Sequence, residues 1–71
     1  MKITFTVDGQ ELAVSDKHQT AASILALAGL DPAMYDLAKR HGDGDPFRDD
    51  QPVIVQEGDA YLTVRVSASV A

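Results

Sequence analysis

Cysteine is missing from this chain of 71 residues, and so is tryptophan. Without cysteine, disulfide staples, thiolate metal sites and a thiol nucleophile are all excluded. A chain this short holds one domain at most, so its stability has to come from a single small core. Basic residues are also scarce, with 6 against 11 acidic ones and a net charge of −5. Such a surface repels phosphate, which disfavours nucleic acids and anionic membranes as partners. No apolar run approaches the length of a membrane span. Met1 and Lys2 lead straight into a strand pattern, so no signal peptide is expected and the expected location is cytoplasmic. What the chain does have is 45% apolar residues, enough for a folded domain.

Those apolar residues change period along the chain. From Met1 to Val7 they alternate, placing Ile3, Phe5 and Val7 on one face and Lys2, Thr4 and Thr6 on the other. Asp8-Gly9 is a strong signal for a two-residue hairpin turn, because both central residues of a type I′ turn need positive φ. Gln10 to Val14 alternates again, with Leu12 and Val14 inward. Ser15 to Gln19 reads as a polar connector.

At Thr20, a candidate N-cap, the period becomes helical. Ile24, Leu27 and Ala28 fall at i, i+3 and i+4, with Leu25 beside them. Gly29 followed by Leu30 fits a left-handed helix cap, and Asp31-Pro32 prevents continuation. A helix of under three turns is unstable alone in water, so it must dock on a sheet. Tyr35 to Arg40 reads as a strand with Leu37 inward. His41 to Asp50 reads as an exposed loop with Phe47 tucked beneath it, Val53 to Val55 as a short strand and Glu57-Gly58-Asp59 as a turn. Tyr61 to Val66 closes as a strand, for which Leu62, Val64 and Val66 are the expected inward residues.

This order of elements predicts an α+β fold, a β-grasp roll in which a mixed sheet of four to five strands packs on one helix. The last strand is expected beside the first, in parallel, at the sheet centre. The domain is expected over residues 1–66, followed by a flexible tail over 67–71.

Candidate chemistry is thin. Asp43 and Asp45 have the spacing of the first two ligands of a calcium loop. Phe47 then occupies the third ligand position, Arg48 the turn glycine and Ile54 the closing glutamate, so a solvated acidic loop is expected and no metal. His18 and His41 lack a second histidine or a carboxylate at ligand spacing. Ser15, Asp16 and His18 carry triad residue types, but adjacency in sequence is not triad geometry. Gly42-Asp43-Gly44 lacks the lysine and following helix of a phosphate loop. No catalytic residue and no cofactor is predicted, and the chain is not expected to be an enzyme. A sheet face of Thr4, Thr6, Ala38, Tyr61, Thr63 and Arg65 is the candidate partner-binding surface, with Tyr61 read either as an exposed aromatic anchor or, at least as readily, as a half-buried cover of the sheet edge.

The stretch from Thr20 to Leu37, TAASILALAGLDPAMYDL, resembles the helix-to-strand signature of bacterial ubiquitin-like (multiubiquitin) domains. These share a threonine opening the helix, an Ile-Leu-x-Leu-Ala-Gly stretch, then a proline and Tyr-x-Leu. Val7 to Leu12, VDGQEL, and Gly58-Asp59 with Tyr61 extend the likeness from Ile3 to about Val66. The resemblance implies a protein modifier encoded beside relatives of ubiquitin-activating and ubiquitin-conjugating enzymes, sometimes with a deubiquitinase-like metalloprotease, in systems associated with antiphage defence. The modifier is the substrate there: its C-terminal carboxylate is adenylated and passed through an enzyme-bound ester or thioester to a target.

This chain departs from ubiquitin and the sulfur carriers by ending in Ser67, Ala68, Ser69, Val70 and Ala71 rather than Gly-Gly. Three fates stay open for that tail: reaction at Ala71, trimming by a protease, or no reaction at all. In the last case the domain is a noncovalent adaptor that presents its sheet or an edge strand to a partner. A sulfur carrier for cofactor biosynthesis ranks third, since the terminal Gly-Gly for thiocarboxylate formation is missing.

Overall fold

The structure is a computed structural model that describes residues 1–42 and 46–66. The chain opens with strands β1 (Ile3–Val7) and β2 (Gln10–Val14), antiparallel and closed by the pair Val7 and Gln10. Asp8 at φ 52° and Gly9 at φ 83° supply the two positive dihedrals that this turn demands.

A short strand, β3 (His18–Thr20), leads into helix α1 (Ala21–Leu27). The helix starts at a capping box. Ser23 N–H donates to Thr20 Oγ1 at 3.1 Å, and Thr20 N–H donates to Ser23 Oγ at 2.9 Å. Serine thus fills the role that glutamate or glutamine usually takes at this position. The two N–H groups ahead of Ser23 reach a neighbouring loop: Ala21 donates to Gln51 O at 3.3 Å and Ala22 to Asp49 O at 3.0 Å.

The other end of the helix is a Schellman motif. Gly29, at φ 82°, donates to Ala26 O and Leu30 donates to Leu25 O, at 3.0 and 2.9 Å. Leu30 then packs against the core, as the expected cap requires. One helical expectation fails. Ala21, Ile24 and Leu25 are fully buried, whereas Leu27 is 47% exposed. Leu27 lies about 200° round the axis from Leu25, so a helix that buries Leu25 turns Leu27 to solvent.

Strands β4 (Tyr35–Lys39), β5 (Pro52–Ile54) and β6 (Ala60–Arg65) complete the chain. The main sheet has four strands in the order β2-β1-β6-β4, with β6 parallel to β1 and antiparallel to both β4 and the direction of β2. First and last strands therefore sit side by side at the centre, as predicted. β3 and β5 form a separate two-stranded sheet rather than a fifth strand of the first. The connector expected over Ser15 to Gln19 therefore ends in a strand, because the pairing of His18, Gln19 and Thr20 with Ile54, Val53 and Pro52 uses main-chain groups and needs no apolar side chains. Phe47 is tucked against the core as expected, and its N–H donates to Leu37 O at 2.7 Å along the outer edge of β4. Taken together, a mixed four-stranded sheet with one helix makes this an α+β protein.

The core is Phe5, Val7, Ala21, Ile24, Leu25, Leu37, Val53, Val55 and Tyr61. Tyr61 reverses the reading of the last strand. It is 1% exposed, while Leu62 and Val64 are 38% and 48% exposed. The parallel register sets this phase by aligning Tyr61 with inward-facing Val7. The tyrosine ring meets Phe5 edge-on, with centroids 5.9 Å apart and planes at 88°. Its hydroxyl donates to Asp59 Oδ2 at 3.0 Å, so the buried phenol is satisfied. An aromatic with a partner for its polar end buries more surface than leucine would in that place.

Replacing Tyr61 by Ala should cost about 3–5 kcal/mol, a large part of the stability of a domain this size. Leu62→Thr and Val64→Thr should each stay within about 0.5 kcal/mol. Urea unfolding followed by circular dichroism would check both, and the opposite ranking would restore the phase expected from sequence.

Candidate interaction surface

One face of the main sheet carries the helix and the other is open. Alternation along the strands, together with the cross-strand pairs, puts Thr4, Thr6, Glu11, Ala13, Asp36, Ala38, Leu62 and Val64 on the open face. Three of the residues expected there are present: Thr4, Thr6 and Ala38. Tyr61, Thr63 and Arg65 are not, because they share the helix-side face with Val7 and Leu37. The expected surface is therefore split between two faces. Leu62 and Val64 take the places assigned to Tyr61, Thr63 and Arg65, which makes the open face more apolar than anticipated.

The seam between β1 and β6 is short, covering only the pairs Thr6 with Ala60 and Val7 with Tyr61. Acidic side chains extend it at both ends. Beyond Val7, the Asp8 carboxylate accepts from Thr63 N–H at 2.9 Å and from the Thr63 hydroxyl. Before Thr6, Glu57 Oε1 accepts from Thr4 N–H at 2.9 Å. Asp59 Oδ2 accepts from Gln56 N–H at 2.9 Å as well as from the Tyr61 hydroxyl. Asp8 and Glu57 each take a strand N–H at an end of the seam, and Asp59 serves its own turn and the buried phenol. Thr63 is thus a structural residue, held by the hairpin turn.

The other candidates lie apart. His18 Nδ1 is 3.2 Å from Asp16 Oδ1, and His18 N–H donates to the same oxygen at 2.9 Å. Those contacts, the backbone one foremost, hold the exposed Asp16 carboxyl below the usual carboxylate range. His41 lines an open cleft of about 310 Å³ with Lys39, Gly58, Asp59 and Ala60. His18 and His41 share no site. Among the described residues, no three potential ligands gather to hold a metal, and no helix is long and apolar enough to cross a membrane. Asp43 and Asp45, and the expected tail of Ser67, Ala68, Ser69, Val70 and Ala71, lie outside the described residues.

Comparison with models of known families, with curated proteins and with solved structures finds no match to this chain.

Tyr61 gives the domain a pH signature. Burial, then the hydrogen bond to Asp59 and that residue's charge, push its pKa well above the ordinary value of 10.0. The folded chain therefore keeps the phenol protonated where the unfolded chain releases it. Its contribution to stability is complete below about pH 10 and is lost as pH rises further, at up to about 1.4 kcal/mol per pH unit. Tyr61→Phe should flatten that alkaline loss in urea melts taken above pH 10, relative to the unchanged protein.

Proposed function

We propose that this chain is a ubiquitin-like modifier with a β-grasp fold, activated at its C-terminus and transferred to target proteins in a bacterial conjugation pathway, with a role in antiphage defence. The observation that carries the reading is the central parallel pair β1 and β6, with the capped helix α1 between them in chain order. That order agrees with the motif likeness at Thr20, Gly29, Pro32 and Tyr35. Ser67, Ala68, Ser69, Val70 and Ala71 have small side chains, the composition that a thread entering an enzyme cleft would need.

In this reading the partners are an activating enzyme, a conjugating enzyme and a deubiquitinase-like protease, all cytoplasmic. The terminal carboxylate attacks the α-phosphorus of ATP and expels pyrophosphate, giving an acyl adenylate. A nucleophile on the enzyme then displaces AMP to form the ester or thioester, and an amine of the target displaces that nucleophile. The domain contributes the carboxylate and a surface by which the enzymes recognise it.

The exposed pair Leu62 and Val64 favours a second reading, a noncovalent adaptor that offers the open sheet face. One experiment separates the two. The full chain is incubated with the activating enzyme encoded beside it and with ATP, and pyrophosphate release and intact mass are followed. A modifier gives ATP-dependent pyrophosphate release and a covalent adduct, both lost on deleting residues 67–71. If Ala71 stays unreactive with no trimming, conjugation is wrong. An adaptor instead keeps its partner after that deletion and loses it on Ala38→Glu.

A further inference from the structure

The open sheet face carries a charge pattern that matches itself. Asp36 pairs with Val64 and Ala38 with Leu62 across β4 and β6. Arg40 continues the ladder past the end of β4, its N–H donating to Ala60 O at 3.0 Å. Alternation puts Asp36, Ala38 and Arg40 on the same face. Four residues of strand separate Asp36 from Arg40 by about 13 Å, too far for them to pair with each other. Neither forms a salt bridge with another described residue.

A two-fold axis lying in the face, across the strands at Ala38 and Leu62, exchanges the two ends of β4. It brings Asp36 of one copy to Arg40 of the other, and the reverse, so two opposite-charge pairs flank a centre of Ala38, Leu62 and Val64. The same axis leaves Glu11, on the far strand, away from any like charge. Asp8 stands in the same row as the axis and makes the one like-charge pair of the contact, its carboxylate drawn toward the seam by Thr63. An isologous contact needs this kind of self-complementarity.

We infer that the open face is a self-association surface, occupied by the same face of a second copy of this chain through reciprocal Asp36–Arg40 pairs around Leu62. This inference stands independently of the conjugation chemistry. The cross-strand pairs set β1 and β2 to one side of that axis, so β4 and β6 make the contact. Two strands about 4.8 Å apart and some six residues long give about 200 Å² per partner, a quarter of what a stable interface buries. The dimer is therefore weak and reversible, with an expected Kd of about 1 mM. Its charge pairs make it weaken with added salt.

Sedimentation equilibrium of the full chain, from about 10 µM to above the expected Kd, tests the association. The specific arrangement is tested with two variants, Asp36→Arg and Arg40→Asp. Each alone should weaken self-association at least tenfold, because like charges then meet across the axis. Mixed in equal amounts, they should form a heterodimer at least as tight as the original, since the axis now sets arginines against aspartates. Circular dichroism confirms that both variants fold, and if either does not, Asp36→Lys and Arg40→Glu repeat the exchange. A chain that stays monomeric throughout overturns the proposal. So does self-association indifferent to both substitutions, or a mixture that fails to recover it.

Discussion

The fold depends on where one tyrosine ring goes. Tyr61 sits between Phe5 and the turn at Asp59, with its ring in the core and its hydroxyl on a carboxylate. Because the last strand runs beside the first in parallel, the inward position of Tyr61 decides the orientation of every other residue in β6. That single choice puts Thr63 next to the hairpin turn and sends Leu62 and Val64 to the opposite side of the sheet. The surface this domain offers is thus a consequence of how its core is filled.

Side chains do much of the hydrogen bonding that a longer strand pairing would otherwise provide. Asp8, Glu57 and Asp59 each take a donor at the ends of the short seam between β1 and β6. The first N–H groups of the helix are met by Asp49 O, Gln51 O and the Thr20 hydroxyl. Part of the acidic excess is therefore committed to the fold. The helix, the loop before β5 and β3 are tied together by the same few bonds, which locks a seven-residue helix that could not persist alone.

Much of this architecture could be read in the residues, wherever one local rule had no competitor. Asp8-Gly9 admits one kind of hairpin, and Thr20 with Gly29 brackets one helix. Phe5 and Leu37 each have a single apolar phase, and both are buried. The misreadings arose where two rules competed. In the last strand, Leu62, Val64 and Val66 form one apolar phase against Tyr61 alone, and only the tertiary register decides between them. In the helix, Leu27 matched the spacing of Ile24, but the small Ala21 filled the buried stripe instead. β3 carried no pattern, since main-chain pairing to β5 leaves no mark on side-chain type. The partner surface followed the misread strand, so half of it fell on the wrong face. The alternation of Asp36, Ala38 and Arg40 was visible from the start but had no meaning until the open side of the sheet was known.

Phe47, donating along the outer edge of β4, gives the sheet unequal ends. β2 forms the other end and, among the described residues, pairs only with β1. A neighbouring molecule can extend the sheet at β2, whereas at β4 it meets Phe47 across from Leu37. Pairing of β2 with another β2 closes on itself after one step, while β3 and β5 keep outer edges of their own. Within the main sheet, the edge best placed to receive a partner strand is thus β2.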